Sequence, residues 1–189
     1  IITFDDGYAN NLTLGAPVLQ SYGYCAEIAV IGCSAGKDTY KDTDTPMIPH
    51  FSMEEAQPWI DVGVIALNAH SYDMHQVAEL DGENCRSGVL PLPDESEQEY
   101  IAALEQDYAA LSAVIDPVMP DDAVRAFTYP YGKYNEISEV VLDTMGVTVT
   151  VTTEPGMAEV VRGLPQSMRV LDRFAITEEV TSQELLGLV

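Results

Sequence analysis

Ile1-Ile2-Thr3-Phe4-Asp5-Asp6-Gly7 opens the chain, and Ala26-Glu27-Ile28-Ala29-Val30-Ile31-Gly32 follows after a single helical stretch. Both are short, largely apolar runs closed by glycine, which reads as strands buried in a sheet. Between them, about Asn10 to Ser21 carries a helix-like pattern that stops at Gly23. The alternation continues outward. Val64 to Ala69, Val124 to Tyr129, Val147 to Thr153 and Arg169 to Ile176 read as further strands. Ser52-Met53-Glu54-Glu55 is a capping-box-like start to a short helix with Pro58 inside it, and Asn135 to Thr144 reads as another helix. Glu95 to Ile115 is the clearest helix, with Tyr100/Ile101, Leu104, Tyr108, Leu111 and Ile115 recurring every three or four residues. A last helix begins at Ser182, which is expected to cap it. Such alternation predicts an α/β fold of βα units around a largely parallel sheet, with an open doubly wound sheet and a closed barrel both fitting. Either architecture binds ligands at the C-terminal ends of its strands.

The 189 residues suffice for one domain, and the whole span 1–189 is expected to form it. Acidic residues outnumber basic ones 31 to 8, a formal charge of −23, which argues against nucleic acid and anionic membrane surfaces as partners. No apolar stretch approaches the roughly 20 residues of a membrane span. Cys25 and Cys33 flank a strand whose ends lie more than about 20 Å apart, far beyond disulfide reach. The chain opens without Met inside a strand, which predicts a fragment of a longer protein lacking its N-terminal segment.

Three chemically rich clusters sit just after strands. In Asp5-Asp6-Gly7 the two carboxylates repel unless a cation or donors compensate them, and both can serve one site only if the backbone turns, as Gly7 permits. His70-Ser71-Tyr72-Asp73-Met74-His75 holds two of the chain's three histidines. At a spacing of five they share no helix or strand face, so the segment must loop for both to chelate one ion. Thr128-Tyr129-Pro130-Tyr131-Gly132 is a Pro/Gly turn able to aim a backbone N–H at a developing oxyanion. One Asp with two His makes a three-ligand catalytic metal site, which leaves the other Asp free as general base.

These clusters, in this order from Thr3 to Gly132, resemble the first three motifs of the polysaccharide deacetylase (NodB homology) family, carbohydrate esterase family 4. The His-Ser-Tyr-Asp-Met-His form is similar to the exported poly-N-acetylglucosamine deacetylase branch. The resemblance implies a distorted (β/α)7-type barrel with a divalent metal at its mouth, Zn²⁺ first, with Co²⁺ and Ni²⁺ as alternatives. It implies Asp6, His70 and His75 as ligands, Asp5 as catalytic base, and the Tyr131 backbone N–H as an oxyanion donor. Ser71 would fix the loop between the histidines, with Pro130 and Gly132 shaping the third motif and Tyr72 and Tyr129 contacting substrate. Implied substrates are acetylated polysaccharides or oligosaccharides of chitin, peptidoglycan or poly-N-acetylglucosamine type, at an extracellular or cell-envelope location.

Two departures from that pattern stand out. The family arginine, expected two residues before Pro130, is Thr128 here, leaving Arg125 or Arg173 as its replacement. The family's late histidine has no counterpart after His75, so the general acid is expected in an upstream segment, with Asp73 or water as substitutes. His50, ahead of a helix rather than after a strand, reads as structural. The leading expectation is a metal-dependent N-deacetylase. The alternatives are a glycan-binding domain with a vestigial site and an O-acetyl esterase on xylan-type polymers. Adjacent Asp5 and Asp6 cannot straddle a glycosidic bond, which disfavours a two-carboxylate glycosidase.

Overall fold

The computed structural model describes residues 1–120 and 123–188. Strands β1 (Ile2–Phe4), β2 (Ala26–Val30), β3 (Ile65–Ala69), β4 (Ala126–Thr128) and β5 (Val149–Val151) form one sheet in the order β1-β2-β3-β4-β5. Every neighbouring pair is parallel. A doubly wound sheet reverses its strand order at a switch point. This order runs without reversal, so the winding is that of a barrel.

The sheet also curls. Beyond β5, Leu171 bridges Val151 in parallel, and two residues later Arg173 donates 3.1 Å to Thr3 Oγ1 on β1. One side chain reaches from one edge of the sheet to the other only because the edges approach each other. The result is the expected distorted barrel, incompletely closed among the described residues. The strand anticipated over Arg169–Ile176 shrinks to the single bridge at Leu171. Val170 there adopts φ 59°, which interrupts any extended run, and Arg169 turns away to donate to Glu139 and to the Val147 carbonyl.

Helices α1 (Ala16–Tyr22), α2 (Met53–Asp61), α3 (Ala78–Asp81), α4 (Glu97–Ile115), α5 (Glu136–Thr144) and α6 (Ser182–Gly187) surround the sheet. A turn of π-helix over Asn11–Gly15 leads into α1. Ser52, Ser96 and Asn135 cap α2, α4 and α5 in reciprocal boxes with Glu55, Glu99 and Ser138. Pro58 lies inside α2 without ending it. For α6 the cap is Thr181 and not Ser182, because Glu184 stands three residues after Thr181 and completes that box.

The core lies between the helices and β2–β4, with Ile28, Leu67, Leu104, Leu111, Phe127 and Leu142 fully buried. Apart from Glu27 and Ala66, β2 and β3 are buried along their lengths, as strands covered on both faces must be. Cys25, Cys33 and Cys85 are free thiols, as the strand between the first two requires. No described helix is long and apolar enough to cross a membrane.

Candidate metal centre

All three clusters sit at the C-terminal ends of their strands. Asp5 and Asp6 follow β1, His70 follows β3, and Tyr129 to Gly132 follow β4. The backbone turn required for the paired aspartates is present: Asp6 lies at φ 73° and Gly7 at φ 82°. An L-residue at Asp6 enters the left-handed region at some cost, and the cost separates the two carboxylates. Asp6 turns to the histidines, and Asp5 turns to Arg173.

Asp6 Oδ1 lies 3.4 Å from His70 Nε2 and 3.5 Å from His75 Nε2. One ligand atom from each of the three residues falls within 4.8 Å of the others. A tetrahedral ion with bonds of about 2.0–2.2 Å spaces its ligand atoms about 3.3 Å apart, so the set fits Zn²⁺ or a similar ion. Asp6 Oδ1 is also buried with no hydrogen-bond partner, an arrangement that a cation would complete. Burial opposes ionisation of Asp6, but His70 and His75 outweigh it and hold the carboxyl down at about 2. Burial, with the neighbouring His70, pushes His75 below its ordinary value and favours the neutral imidazole that a metal requires.

Each imidazole is oriented from behind. His70 Nδ1 lies 2.7 Å from the Thr128 carbonyl, so it donates there and Nε2 is the ring nitrogen that faces Asp6. His75 Nδ1 pairs at 2.9 Å with the Tyr131 hydroxyl. Tyr131 therefore supports a histidine through its side chain, a contact its motif position did not announce. Tyr131 sits at φ 56° and Gly132 at φ 66°. A Cβ on Gly132 would come 2.1 Å from Thr153 Oγ1, so this turn admits only glycine. Pro130 is buried beneath it.

Of the two candidate arginines, Arg173 meets Asp5. Its guanidinium donates to both carboxylate oxygens at 2.8 and 2.5 Å, and also to Thr3 Oγ1 and the Thr152 carbonyl. Arg125 instead pairs with Asp116 at the surface. Ser71 is fully buried at φ 68°, and its hydroxyl accepts from the Met74 amide within the loop between the histidines.

One sequence expectation fails. Tyr129 is completely buried, stacked on Tyr134 and donating its hydroxyl to Glu139, so it cannot touch a substrate. Tyr72 is half-buried on the core beside Gly32, where a Cβ would clash with its ring at 2.6 Å. Conversely, His50 belongs to the site's surroundings. A cavity of about 280 Å³ beside the centre is lined by Asp6, Tyr8, His50, Asp73 and His75 with apolar Ile31, Met47, Ile48 and Val77. Tyr8 bridges the two regions, its ring 4.9 Å from that of His50. Burial and the Asp6 charge push the Tyr8 phenol up to about 12, so it remains a neutral donor. Nothing in the sequence around Tyr8 or His50 signalled this placement. It follows from an isolated antiparallel bridge between those two residues.

The sequence pattern of the polysaccharide deacetylase family matches residues 1–150. The chain belongs to that family. Among curated proteins, the chain is similar to YxkH of Bacillus subtilis (strain 168), assigned by name to the polysaccharide deacetylases. The two are 29% identical over 170 residues, covering 90% of this chain and 50% of YxkH, so the chain spans half the length of that relative. The fold is shared with a de-N-acetylase from Aggregatibacter actinomycetemcomitans at a TM-score of 0.80 and 20% identity, covering all of this chain and 74% of that one. IcaB from Ammonifex degensii superposes at a TM-score of 0.70 with 21% identity, covering 100% of this chain and 71% of IcaB.

Proposed function

We propose that this deacetylase is a metal-dependent hydrolase that removes N-acetyl groups from an amino-sugar polymer of chitin, peptidoglycan or poly-N-acetylglucosamine type. What carries the reading is the division of labour between neighbouring carboxylates. Asp6 Oδ1 stands buried and unbonded between two imidazoles, while Asp5 is held apart by a two-pronged arginine. A glycan-binding surface has no need of that arrangement, and the placement of Arg173 removes one of the two departures that favoured a vestigial site.

Asp6, His70 and His75 would hold a divalent ion, Zn²⁺ first, which would supply Lewis acidity toward an acetyl carbonyl and a bound water. Asp5 takes the proton of the attacking water as the new C–O bond forms. Arg173 keeps Asp5 oriented for that transfer, and the Tyr131 backbone N–H is assigned the oxyanion in this reading. The tetrahedral species collapses with cleavage of the C–N bond as the departing nitrogen takes a proton from the general acid, with Asp73 or water as the candidates in this chain. Asp5 returns its proton to solvent, leaving acetate and the free amine. A single domain supplying this chemistry belongs to the same proposal, as does an exported site of action on a cell-envelope polymer.

The test is release of free amine from acetylated glucosamine oligomers. Turnover is expected to cease with a chelator and to return with Zn²⁺ or Co²⁺; chelator-insensitive turnover would refute the metal reading. Retained metal binding without turnover on any acetylated glycan would favour a binding module, and release confined to O-acetylated xylan would favour the esterase.

A second expected outcome concerns Arg173. Hydrogen bonds to a charged group contribute about 1.5–3 kcal/mol, so Arg173→Gln should lower kcat/KM roughly 10- to 150-fold. Zn²⁺ affinity should be unchanged. Arg125→Gln, at an exposed pair, should leave both within about twofold. Steady-state kinetics with a parallel Zn²⁺ titration separates the two arginines.

A further inference from the structure

Helix α4 presents its apolar stripe of Tyr100, Leu104, Tyr108, Leu111 and Ile115 to the core, and Asp107 lies within that stripe. Only 9% of Asp107 is exposed. Its Oδ2 accepts from the Tyr72 amide and its Oδ1 from the Asp73 amide, each at 2.7 Å. Those two consecutive amides lie in the loop that carries both His70 and His75. The rest of the loop is held by the Gly32 amide on the Ser71 carbonyl, the Cys33 amide on the Tyr72 carbonyl and the Gly88 amide on the Met74 carbonyl. Lys41 and Cys33 reach the Asp73 side chain, but among the described residues Asp107 is the one side chain outside the loop that accepts two of its backbone amides.

We propose that Asp107 is a positioning residue of the metal centre: by clamping the Tyr72 and Asp73 amides it fixes the spacing of His70 and His75, and so sets the affinity of the site for a divalent cation. The inference rests on the metal reading above. Coordination demands ligand positions held within about half an ångström. His70 is anchored by β3, whereas His75 lies five residues on, positioned by the backbone between them together with its bridge to Ser87 and its contact with the Tyr131 hydroxyl. A left-handed residue at Ser71 makes that backbone costly to hold without partners.

The chemistry of the clamp calls for a carboxylate. Two adjacent N–H groups need two acceptors, and an asparagine offers one acceptor and an NH₂ that would face an N–H. Burial raises the Asp107 carboxyl to about 6 despite the two amide bonds, so keeping it charged near neutrality costs stability.

The test compares wild type, Asp107→Asn and Leu104→Ala, the last being a buried neighbour on the same helix face that touches neither amide. Each is titrated with Zn²⁺, and with Co²⁺ read by its absorption bands, alongside thermal unfolding of the metal-free protein. Loss of a group that orients metal ligands typically lowers affinity 10- to 100-fold, and that loss is expected for Asp107→Asn with altered Co²⁺ bands. Leu104→Ala should lower the unfolding temperature while leaving Zn²⁺ affinity within about threefold. Wild-type affinity in Asp107→Asn, or an equal loss in Leu104→Ala, overturns the proposal while leaving the metal reading intact. Failure of the wild type to bind either ion removes both. Should Asp107→Asn fail to fold, amide exchange in the wild type decides, because the coupling is reciprocal. Zn²⁺ must then slow exchange at Tyr72 and Asp73, and unchanged rates overturn the proposal.

Discussion

Asp5→Asn is expected to bind Zn²⁺ as tightly as the wild type while turning over acetylated glucosamine oligomers roughly 10²- to 10⁴-fold more slowly, the contribution of a positioned general base. The separation follows from geometry. Asp5 shares none of the short contacts among Asp6, His70 and His75, and its oxygens are engaged by Arg173. Asparagine fills nearly the same volume, so the metal ligands should not move. It cannot take a proton, however, and its NH₂ would face the guanidinium. Single-turnover amine release with a parallel Zn²⁺ titration measures both quantities. Loss of metal binding together with activity would show that Asp5 is a ligand, and unchanged turnover would remove it from the chemistry.

His75→Ala is expected to reverse that pattern, losing metal first and activity only as a consequence. Apparent zinc-binding free energies of about 10–16 kcal/mol spread over four ligands assign roughly 3 kcal/mol to each. Removal of one protein ligand should therefore weaken Zn²⁺ binding by 100-fold or more. Activity at limiting metal should vanish, and high Zn²⁺ should restore part of it. His75 is half-buried at the rim, held by Tyr131 and not by the core, so the metal-free variant should stay folded. Tyr131→Phe removes only the hydroxyl that pairs with His75 Nδ1, and a milder loss in the same direction is expected. Zn²⁺ affinity indistinguishable from wild type in His75→Ala would exclude His75 from the centre and with it the three-ligand arrangement.

Much of this site was legible in the chain because its chemistry is local. Asp5, Asp6, His70, His75, Pro130, Tyr131 and Gly132 lie within a few residues of the strands that carry them, in runs that keep their spacing whatever the rest of the fold does. The βα alternation was equally plain, since burial on both faces of a parallel sheet enforces apolar strands. Asp107 was visible in principle, as a carboxylate interrupting the apolar stripe of α4, although only the structure names the amides it serves. Tyr129 misled for the opposite reason: a motif position says where the backbone passes and not which way the ring turns.

The sequence by itself determined the order of the five strands and of the longer helices, the residue types of the centre and the need for the chain to turn after β1, β3 and β4. The tertiary structure decided barrel winding over a doubly wound sheet, Arg173 over Arg125, and the burial of Tyr129. Arg173 and Asp5 stand 168 residues apart, and Asp107 is 35 residues from Tyr72. Local propensity and periodicity act over a few residues, whereas contacts at such separations exist only once the sheet has curled and α4 has packed against it.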